Sequence, residues 1–256
     1  MTISVALCGF LGRMGSSILE VSKSYQDLII KAGIDKEENI RDKQLPLEYV
    51  TSNLEDVINH VDVVIEFTGS VDAAIKNTLV CKDHKKPIVI GTTGFTEEQL
   101  NIIKDCSKDI PIVFSPNMSL GVNVLFKLLE IAIKALKDKG YDVEISEIHH
   151  RFKKDAPSGT ALRLLDIVKK ELPDTKDVFG REGISPREDN EVGVFALRGG
   201  DVVGEHTVYM FGMGERLELT HRATDRKIFA KGSVEAARWV YKKPSGFYSM
   251  FDVLGL

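Results

Sequence analysis

Ile3-Ser4-Val5-Ala6-Leu7-Cys8-Gly9-Phe10-Leu11-Gly12-Arg13-Met14-Gly15 is the stretch that decides the fold. Ile3 to Cys8 is a short apolar run ending at glycine, the pattern of a strand buried on both faces of a parallel sheet. Gly9, Gly12 and Gly15 follow, and Ile18, Leu19 and Val21 continue at helical spacing. Strand, glycine turn and helix in this order bring backbone N–H groups at a helix N-terminus up to a pyrophosphate. Glycine is needed where the backbone turns tightly or the ligand comes close. The motif is GxxGxxG, with Leu11 at the second glycine position of the usual GxGxxG. Taken alone it is a weak signal, because such turns also occur without nucleotides.

Outward from this stretch the α/β alternation continues. Leu28 to Ile34 is a second apolar run and ends at Asp35. An acid there accepts hydrogen bonds from an adenosine ribose, whereas the adjacent Lys36 would pair with a 2′-phosphate. The pair is compatible with NADH and with NADPH; the bland alternative is a solvated loop, since Glu37 and Glu38 follow. Val61 to Phe67 reads as a strand leading through Thr68-Gly69-Ser70 into a helix from Val71 to Asp83. Pro87 to Ile90 runs into Gly91-Thr92-Thr93-Gly94-Phe95, and Thr96-Glu97-Glu98-Gln99 opens a helix with acids in its first turn. Pro111 to Phe114 ends at Ser115-Pro116-Asn117-Met118. Strands alternating with helices imply a parallel sheet with right-handed crossovers. Ligands bind such sheets beyond the carboxyl ends of the strands. The exits at Gly9, Asp35, Thr68, Gly91 and Ser115 form one such rim, a stronger signal than the glycine motif by itself.

Composition bounds the function. The chain has 256 residues, enough for one large or two modest domains. Its formal net charge of -4 argues against a nucleic-acid partner. No apolar run approaches the roughly 18 residues of a membrane span, and the N-terminus shows no basic segment or cleavage site. The three cysteines, Cys8, Cys81 and Cys106, have no CxxC spacing, which suits reduced thiols in a cytoplasmic protein.

The second half changes style near Asn117. Ser119 to Lys137 has the apolar spacing of a helix, and Tyr141 to Ile148 alternates like a half-buried strand. Gly193 to Leu197, His206 to Phe211 and Leu217 to Thr220 read as further strands joined by short loops, hence a mixed or antiparallel sheet. Phe229 to Tyr241 is a last helix. At the exit of the 141–148 strand stands Glu147-Ile148-His149-His150-Arg151-Phe152-Lys153-Lys154-Asp155-Ala156-Pro157-Ser158-Gly159-Thr160-Ala161-Leu162. Ser158 is the natural N-cap of the helix that follows, whose free N–H groups favour an anion. His149 has the ordinary pKa range for giving a proton at neutral pH, and Lys153 would stabilise developing negative charge. His150, next along an extended chain, points to the opposite face unless a turn intervenes. The remaining histidines, His60, His84, His206 and His221, are not at zinc-like spacing from this pair, so no metal is expected. No GxSxG elbow surrounds Ser158, which argues against a serine nucleophile.

These residues resemble the dihydrodipicolinate reductase family, also called 4-hydroxy-tetrahydrodipicolinate reductase. The resemblance rests on His149-His150, Lys153 and Asp155-Ala156-Pro157-Ser158-Gly159-Thr160-Ala161, supported by Gly9 to Gly15, Gly91 to Phe95, Asn117 to Asn123 and Asp252-Val253-Leu254-Gly255-Leu256. It runs essentially end to end. It implies a Rossmann-like parallel-sheet cofactor domain, residues 1–117 with 223–256, and a mixed-sheet α+β substrate and oligomerisation domain, residues 118–222, in a homotetramer. By position it implies that Gly9, Phe10, Leu11, Gly12, Arg13 and Met14 hold the pyrophosphate of NADH or NADPH, with Asp35 and Lys36 at the adenosine ribose. Gly91, Thr92 and Thr93, with Ser115, Pro116, Asn117 and Met118, would line the nicotinamide side. His149 and Lys153 would be catalytic, and His150, Ser158, Gly159 and Thr160 would bind a small dicarboxylate. The implied activity is NAD(P)H-dependent reduction in the diaminopimelate route to lysine. Two departures stand out: Asp35-Lys36 where Glu-Arg is frequent, which leaves coenzyme preference open, and the bulky Phe10-Leu11. Two alternatives are a different NAD-dependent reductase, such as an amino-acid dehydrogenase, and a non-catalytic NADH sensor.

Overall fold

A computed structural model describes residues 2–256. The chain divides into two compact units, Met1–Leu120 with Lys227–Leu256, and Gly121–Arg226. The sequence pattern puts a break at 117/118, and the family resemblance implies a second at 222/223. The first break moves because Leu120 packs against the core of the first unit before its helix leaves it.

In the first unit β1 (Ile3–Cys8), α1 (Arg13–Ser22), β2 (Leu28–Ile34), a short α2 (Glu37–Ile40) and β3 (Tyr49–Thr51) come first. They are followed by β4 (Val63–Glu66), α3 (Val71–Asp83), β5 (Ile88–Ile90), α4 (Glu97–Cys106) and β6 (Pro111–Phe114). The helix α5 (Leu120–Leu136) leads into the second unit. There stand β7 (Asp142–His149), α6 (Gly159–Glu171), β8 (Lys176–Val178), β9 (Glu191–Arg198), β10 (Gly204–Gly212) and β11 (Glu215–Ala223). The chain then returns to the first unit with α7 (Lys227–Val240), β12 (Gly246–Tyr248) and α8 (Met250–Leu254).

The first sheet has seven strands in the order β12-β6-β5-β4-β1-β2-β3, and every pairing is parallel. Strand period two divides its side chains between two cores. Val5, Leu7, Val63, Ile65, Val89 and Val113 face one layer with Ile18 of α1 and Ala230, Val234 and Ala237 of α7. Ala6, Cys8, Val64, Ile88, Ile90 and Ile112 face the other, with Cys81 of α3 and Ile103 and Cys106 of α4. All three cysteines are buried free thiols in this second layer, and burial pushes each thiol pKa up. They are packing residues.

Three strands have no counterpart in the sequence pattern: β3, β8 and β12, each of three residues. Too short to show a period, they are held by neighbours: Phe247 of β12 pairs with Ile112 and stacks on Phe114 at 5.9 Å. The second sheet is mixed, in the order β11-β10-β7-β9-β8, with β7 antiparallel to β10 and parallel to β9. Its strands β9, β10 and β11 extend beyond the alternating segments at both ends. Val143, Ile145, Val208 and Met210 are buried on one face, and Ser146, Tyr209 and Phe211 lie on the half-buried face.

Gly232 in α7 lets that helix press against the loop before α5: a Cβ there would fall on the Met118 carbonyl oxygen. Gly232→Ala is expected to lower unfolding stability by about 1–3 kcal/mol through overpacking, measured by denaturant titration. Unchanged stability would show that this approach is slack.

Candidate active site

Two sets of strand ends carry the polar side chains. In the first unit Gly9, Leu11, Gly12, Asp35 and Lys36 border one cavity of about 650 Å³. Gly9 takes φ 79°, and a Cβ there would stand 2.5 Å from the Phe67 carbonyl oxygen, so β1 must exit through glycine. The N-cap of α1 is Gly12, and no side chain caps this helix. Its first-turn N–H groups are therefore left for a ligand, and the positive end of the dipole favours an anion. Asp35 also borders the cavity. Its Oδ2 accepts from Leu11 N at 3.0 Å, and its Oδ1 accepts from Lys36 N at 2.9 Å and Asn39 Nδ2 at 2.7 Å. The glycine loop is thus tied to the end of β2, with Lys36 exposed at the rim.

The other expected cofactor residues separate by environment. Arg13 is exposed, while the Phe10 side chain is 1% exposed and packs in the core, as does that of Met118 at 2%. Met14 packs against the same core. For Phe10 and Met118 only the backbone is left to meet a ligand. Gly91, Thr92 and Thr93 leave β5, and Ser115, Pro116, Asn117 and Met118 leave β6; none borders the cavity named above. Thr93 and Pro116 are exposed, while Ser115 is buried with its hydroxyl donating to the Asn117 carbonyl at 2.7 Å. Thr92 is buried and accepts from Gly69 N at 3.2 Å.

Sequence reasoning passes over the acid that joins these loops. Glu66, at the end of β4, is fully buried. Its carboxylate accepts from Thr68 N at 2.8 Å, Thr68 Oγ1 at 2.5 Å, Thr92 Oγ1 at 3.3 Å and Asn77 Nδ2 at 2.6 Å. Burial raises its pKa and these donors oppose the rise. A carboxylate inside an apolar strand run was the available signal, since a buried charge demands partners.

In the second unit the sheet register assembles what chain spacing does not. Glu147 and His149 lie two residues apart on β7 and share its buried face, at 0% and 9% exposure. Glu147 is opposite His206 of β10, and His149 is opposite Arg198 of β9. His149 Nδ1 hydrogen-bonds Glu147 Oε2. Glu147 Oε1 accepts from Ser158 N at 3.0 Å and Arg198 Nη2 at 2.8 Å. Ser158 caps α6, its hydroxyl accepting from Ala161 N and lying 3.0 Å from His206 Nε2. Its hydroxyl is therefore engaged within the fold, while Gly159 and Thr160 begin the helix with Gly159 exposed.

Glu147, His149 and His206 bring ligand-type atoms within 4.8 Å of one another. Spacing in the chain hid this group, because β10 supplies the second histidine from 57 residues away, 206 minus 149. The ligand-type contacts are made internally, and Arg198 already supplies a cation beside the carboxylate. The group forms a hydrogen-bonded network. Burial lowers the His149 pKa against the pull of Glu147. Burial also works to raise that of Glu147, but Arg198, the Ser158 N–H and His149 outweigh it and hold it low. At rest the pair is a neutral ring beside a carboxylate. Burial lowers His206 to about 3.

Beyond β7 the chain turns. His150 faces away from this network: its Nδ1 accepts from Phe152 N at 3.2 Å and its Nε2 lies 3.1 Å from Arg226 Nη2. Lys153 Nζ donates to both Asp155 oxygens at 2.8 Å, and its side chain is 20% exposed. Its charge also pushes His149 and His206 toward their neutral forms.

A parallel sheet with an uncapped glycine-rich helix start, in a chain whose other unit ends its central strand in a carboxylate–histidine pair, is the equipment of a dinucleotide-dependent reductase. Its family follows from comparison with known proteins. The chain belongs to the dihydrodipicolinate reductase family: the family's N-terminal model matches residues 3–118 and its C-terminal model residues 121–254. A 4-hydroxy-tetrahydrodipicolinate reductase from Aquifex aeolicus is 54% identical over 265 aligned residues, covering 100% of both chains. One from Syntrophotalea carbinolica is 44% identical, covering 99% of each. Among solved structures, a dipicolinate-bound dihydrodipicolinate reductase from Paenisporosarcina sp. TG-14 has a TM-score of 0.82 at 24% identity, covering 98% of this chain and 99% of that one. A scyllo-inositol dehydrogenase from Lactobacillus casei with bound NAD(H) has the same general fold, with a TM-score of 0.59 at 13% identity, covering 99% of this chain and 93% of that one. These matches favour neither an amino-acid dehydrogenase nor a sensor.

The His206 shift has a thermodynamic consequence. An unfolded histidine titrates near 6.5, and the folded one near 3. Between these values the unfolded chain binds more protons, so stability rises with pH. The contribution is complete above about 6.5 and is lost as pH falls toward about 3, on the order of a few kcal/mol. His206→Gln, which keeps a partner for Ser158 without titrating, is expected to flatten the fall of melting temperature across this window. Parallel curves for the two proteins would show that His206 is not the group responsible. Glu66→Gln is expected to destabilise by about 1–3 kcal/mol by turning an amide donor toward donors, and to weaken NADH binding by loosening the Thr68 and Thr92 loops. Calorimetry and fluorescence titration read the two effects.

Proposed function

We propose that this protein uses NADH or NADPH to reduce 4-hydroxy-tetrahydrodipicolinate, or dihydrodipicolinate after loss of water, to tetrahydrodipicolinate in the diaminopimelate route to lysine. The match of both halves of the chain to both halves of one reductase family carries this reading.

The bound coenzyme supplies the hydride. The glycine-rich exit of β1 and the open start of α1 suit its pyrophosphate, and this fit supports a cofactor role for the first unit. Asp35 and Lys36 would meet the adenosine ribose, Lys36 adding the charge that a 2′-phosphate needs. Gly91 to Thr93 and Ser115 to Met118 would line the nicotinamide side, with Phe10 and Met118 acting through their backbones.

In the second unit the donor-rich start of α6, at Gly159 and Thr160, suits a substrate carboxylate. Lys153 adds a cation within the same turn region. The dipicolinate bound to the Paenisporosarcina reductase is a dicarboxylate, which fits a site of this charge. Such an anion would stabilise the protonated His149 ring, so substrate binding brings a proton onto the residue that gives it up. His149 would serve as proton donor, with Lys153 as carboxylate partner and second donor. His150, engaged with Phe152 and Arg226, would shape the turn and the edge of the substrate site.

The half-buried face of the second sheet, carrying Tyr209 and Phe211 stacked at 5.7 Å, supports an assembly surface in a homotetramer. Among the described residues no helix is long and apolar enough to cross a membrane; a cytoplasmic location suits three reduced thiols.

Coupling the protein to dihydrodipicolinate synthase and following coenzyme absorbance tests the activity. NADH or NADPH is expected to be consumed only when the synthase supplies substrate; no consumption with either coenzyme would overturn this function. His149→Gln is expected to lower kcat at least about 100-fold, a general-acid contribution, and to leave NADH affinity within about twofold. Near-normal turnover would remove His149 from the acid role.

A further inference from the structure

We infer that Glu147 is a positioning residue for the reaction: its carboxylate fixes which nitrogen of His149 carries the transferable proton and ties that ring to the start of α6. This inference rests on the acid role of His149 stated above and goes beyond it.

The geometry begins with alternation along β7, which puts Glu147 and His149 on one buried face. Glu147 is fully buried and therefore depends on protein donors for the solvation its charge requires. It has three: the Ser158 N–H, Arg198 Nη2 and His149 Nδ1. An ionised carboxylate only accepts, so the proton between Glu147 and His149 is held on Nδ1. Neutral His149 is then the Nδ1–H tautomer, with the lone pair on Nε2. When the ring is protonated, Nε2 carries the proton that can be passed on.

The Nε2 edge is kept open by a missing side chain. A Cβ at Gly204 of β10 would stand 3.0 Å from Nε2 and 3.3 Å from Cδ2. Any larger residue would press on the edge through which the proton must leave.

Charge completes the arrangement. The groups facing His149 are Glu147 from its own strand, Arg198 from β9, His206 from β10, and Lys153 with its partner Asp155 from the turn. Arg198 and Lys153 disfavour an imidazolium, and burial acts in the same direction. Glu147 is the group in direct contact that favours it. On proton transfer the Nε2–H bond breaks and the proton goes to the substrate. The ring returns to the neutral Nδ1–H form, and Glu147 remains ionised throughout.

The same carboxylate binds Ser158 N and Arg198, which also donates to the Asp155 carbonyl at 2.7 Å. One side chain thus sets the ring, the helix start and the turn that carries Lys153.

Glu147→Gln separates this role from simple packing. Its amide oxygen can still accept from Ser158 and Arg198, whereas the charge is gone and an NH2 group faces Nδ1. In the coupled assay kcat is expected to fall about 100-fold with NADH affinity within about twofold, and the basic limb of the kcat–pH profile is expected to move to lower pH. Glu147→Asp, which keeps the charge, is expected to recover part of the loss. A folded Glu147→Gln protein with unchanged kcat and an unchanged basic limb would overturn the inference. Should that variant not fold, the unmodified protein decides: nitrogen-15 NMR is expected to show His149 protonated on Nδ1 and bare on Nε2 above the basic limb. The reverse tautomer would also overturn it. These readouts differ from failure of the functional reading, which would appear as no coenzyme consumption by the unmodified protein whatever the tautomer of His149.

Discussion

A carboxylate removed from water must be surrounded by donors, and in each unit a fully buried one near the carboxyl end of a strand meets that demand. Glu66 closes β4 and Glu147 lies near the close of β7, both without exposure to solvent. The donors that each collects come from separate segments of the chain. Thr68 and Thr92 leave neighbouring strands and meet on Glu66. Ser158 and Arg198 belong to separate elements and meet on Glu147. Loops that would otherwise be the most mobile part of an α/β fold are thereby pinned.

The two carboxylates differ in their partners, and that decides what each can do. Glu66 has hydroxyl, amide and backbone donors and no cation among its hydrogen bonds, so burial dominates and its pKa rises. It is suited to holding shape. Glu147 has a guanidinium and an imidazole, which hold it ionised despite burial. It is suited to orienting a ring whose charge changes during turnover. His206, beside His149 and far below its ordinary pKa, completes a seam of neutral rings against a fixed negative charge.

Much of the fold was legible because period-two burial is written directly in the strands. Val5 and Leu7 face one core and Ala6 and Cys8 the other, as an apolar run buried on both faces requires. The three-residue strands were not legible, since a segment that short shows no period and pairs only because a neighbour offers an edge. In the site, Ser158 could be read as a helix cap from its place before an amphipathic run, and the structure has that cap. Arg198 and His206 could not be found by spacing, because their positions beside His149 and Glu147 depend on the pairing of three strands.

By itself the sequence determined the parallel sheet, the glycine exit of β1, the start of α6 and the family, because these depend on local periodicity, φ preference and short motifs. Tertiary structure alone decided which side chains those elements share. It turned Phe10 into a core residue, drew Asp35 onto the Leu11 N–H, and chose the partners of His149 and His150. Register and burial are collective properties of paired strands, and a linear chain does not contain them one residue at a time.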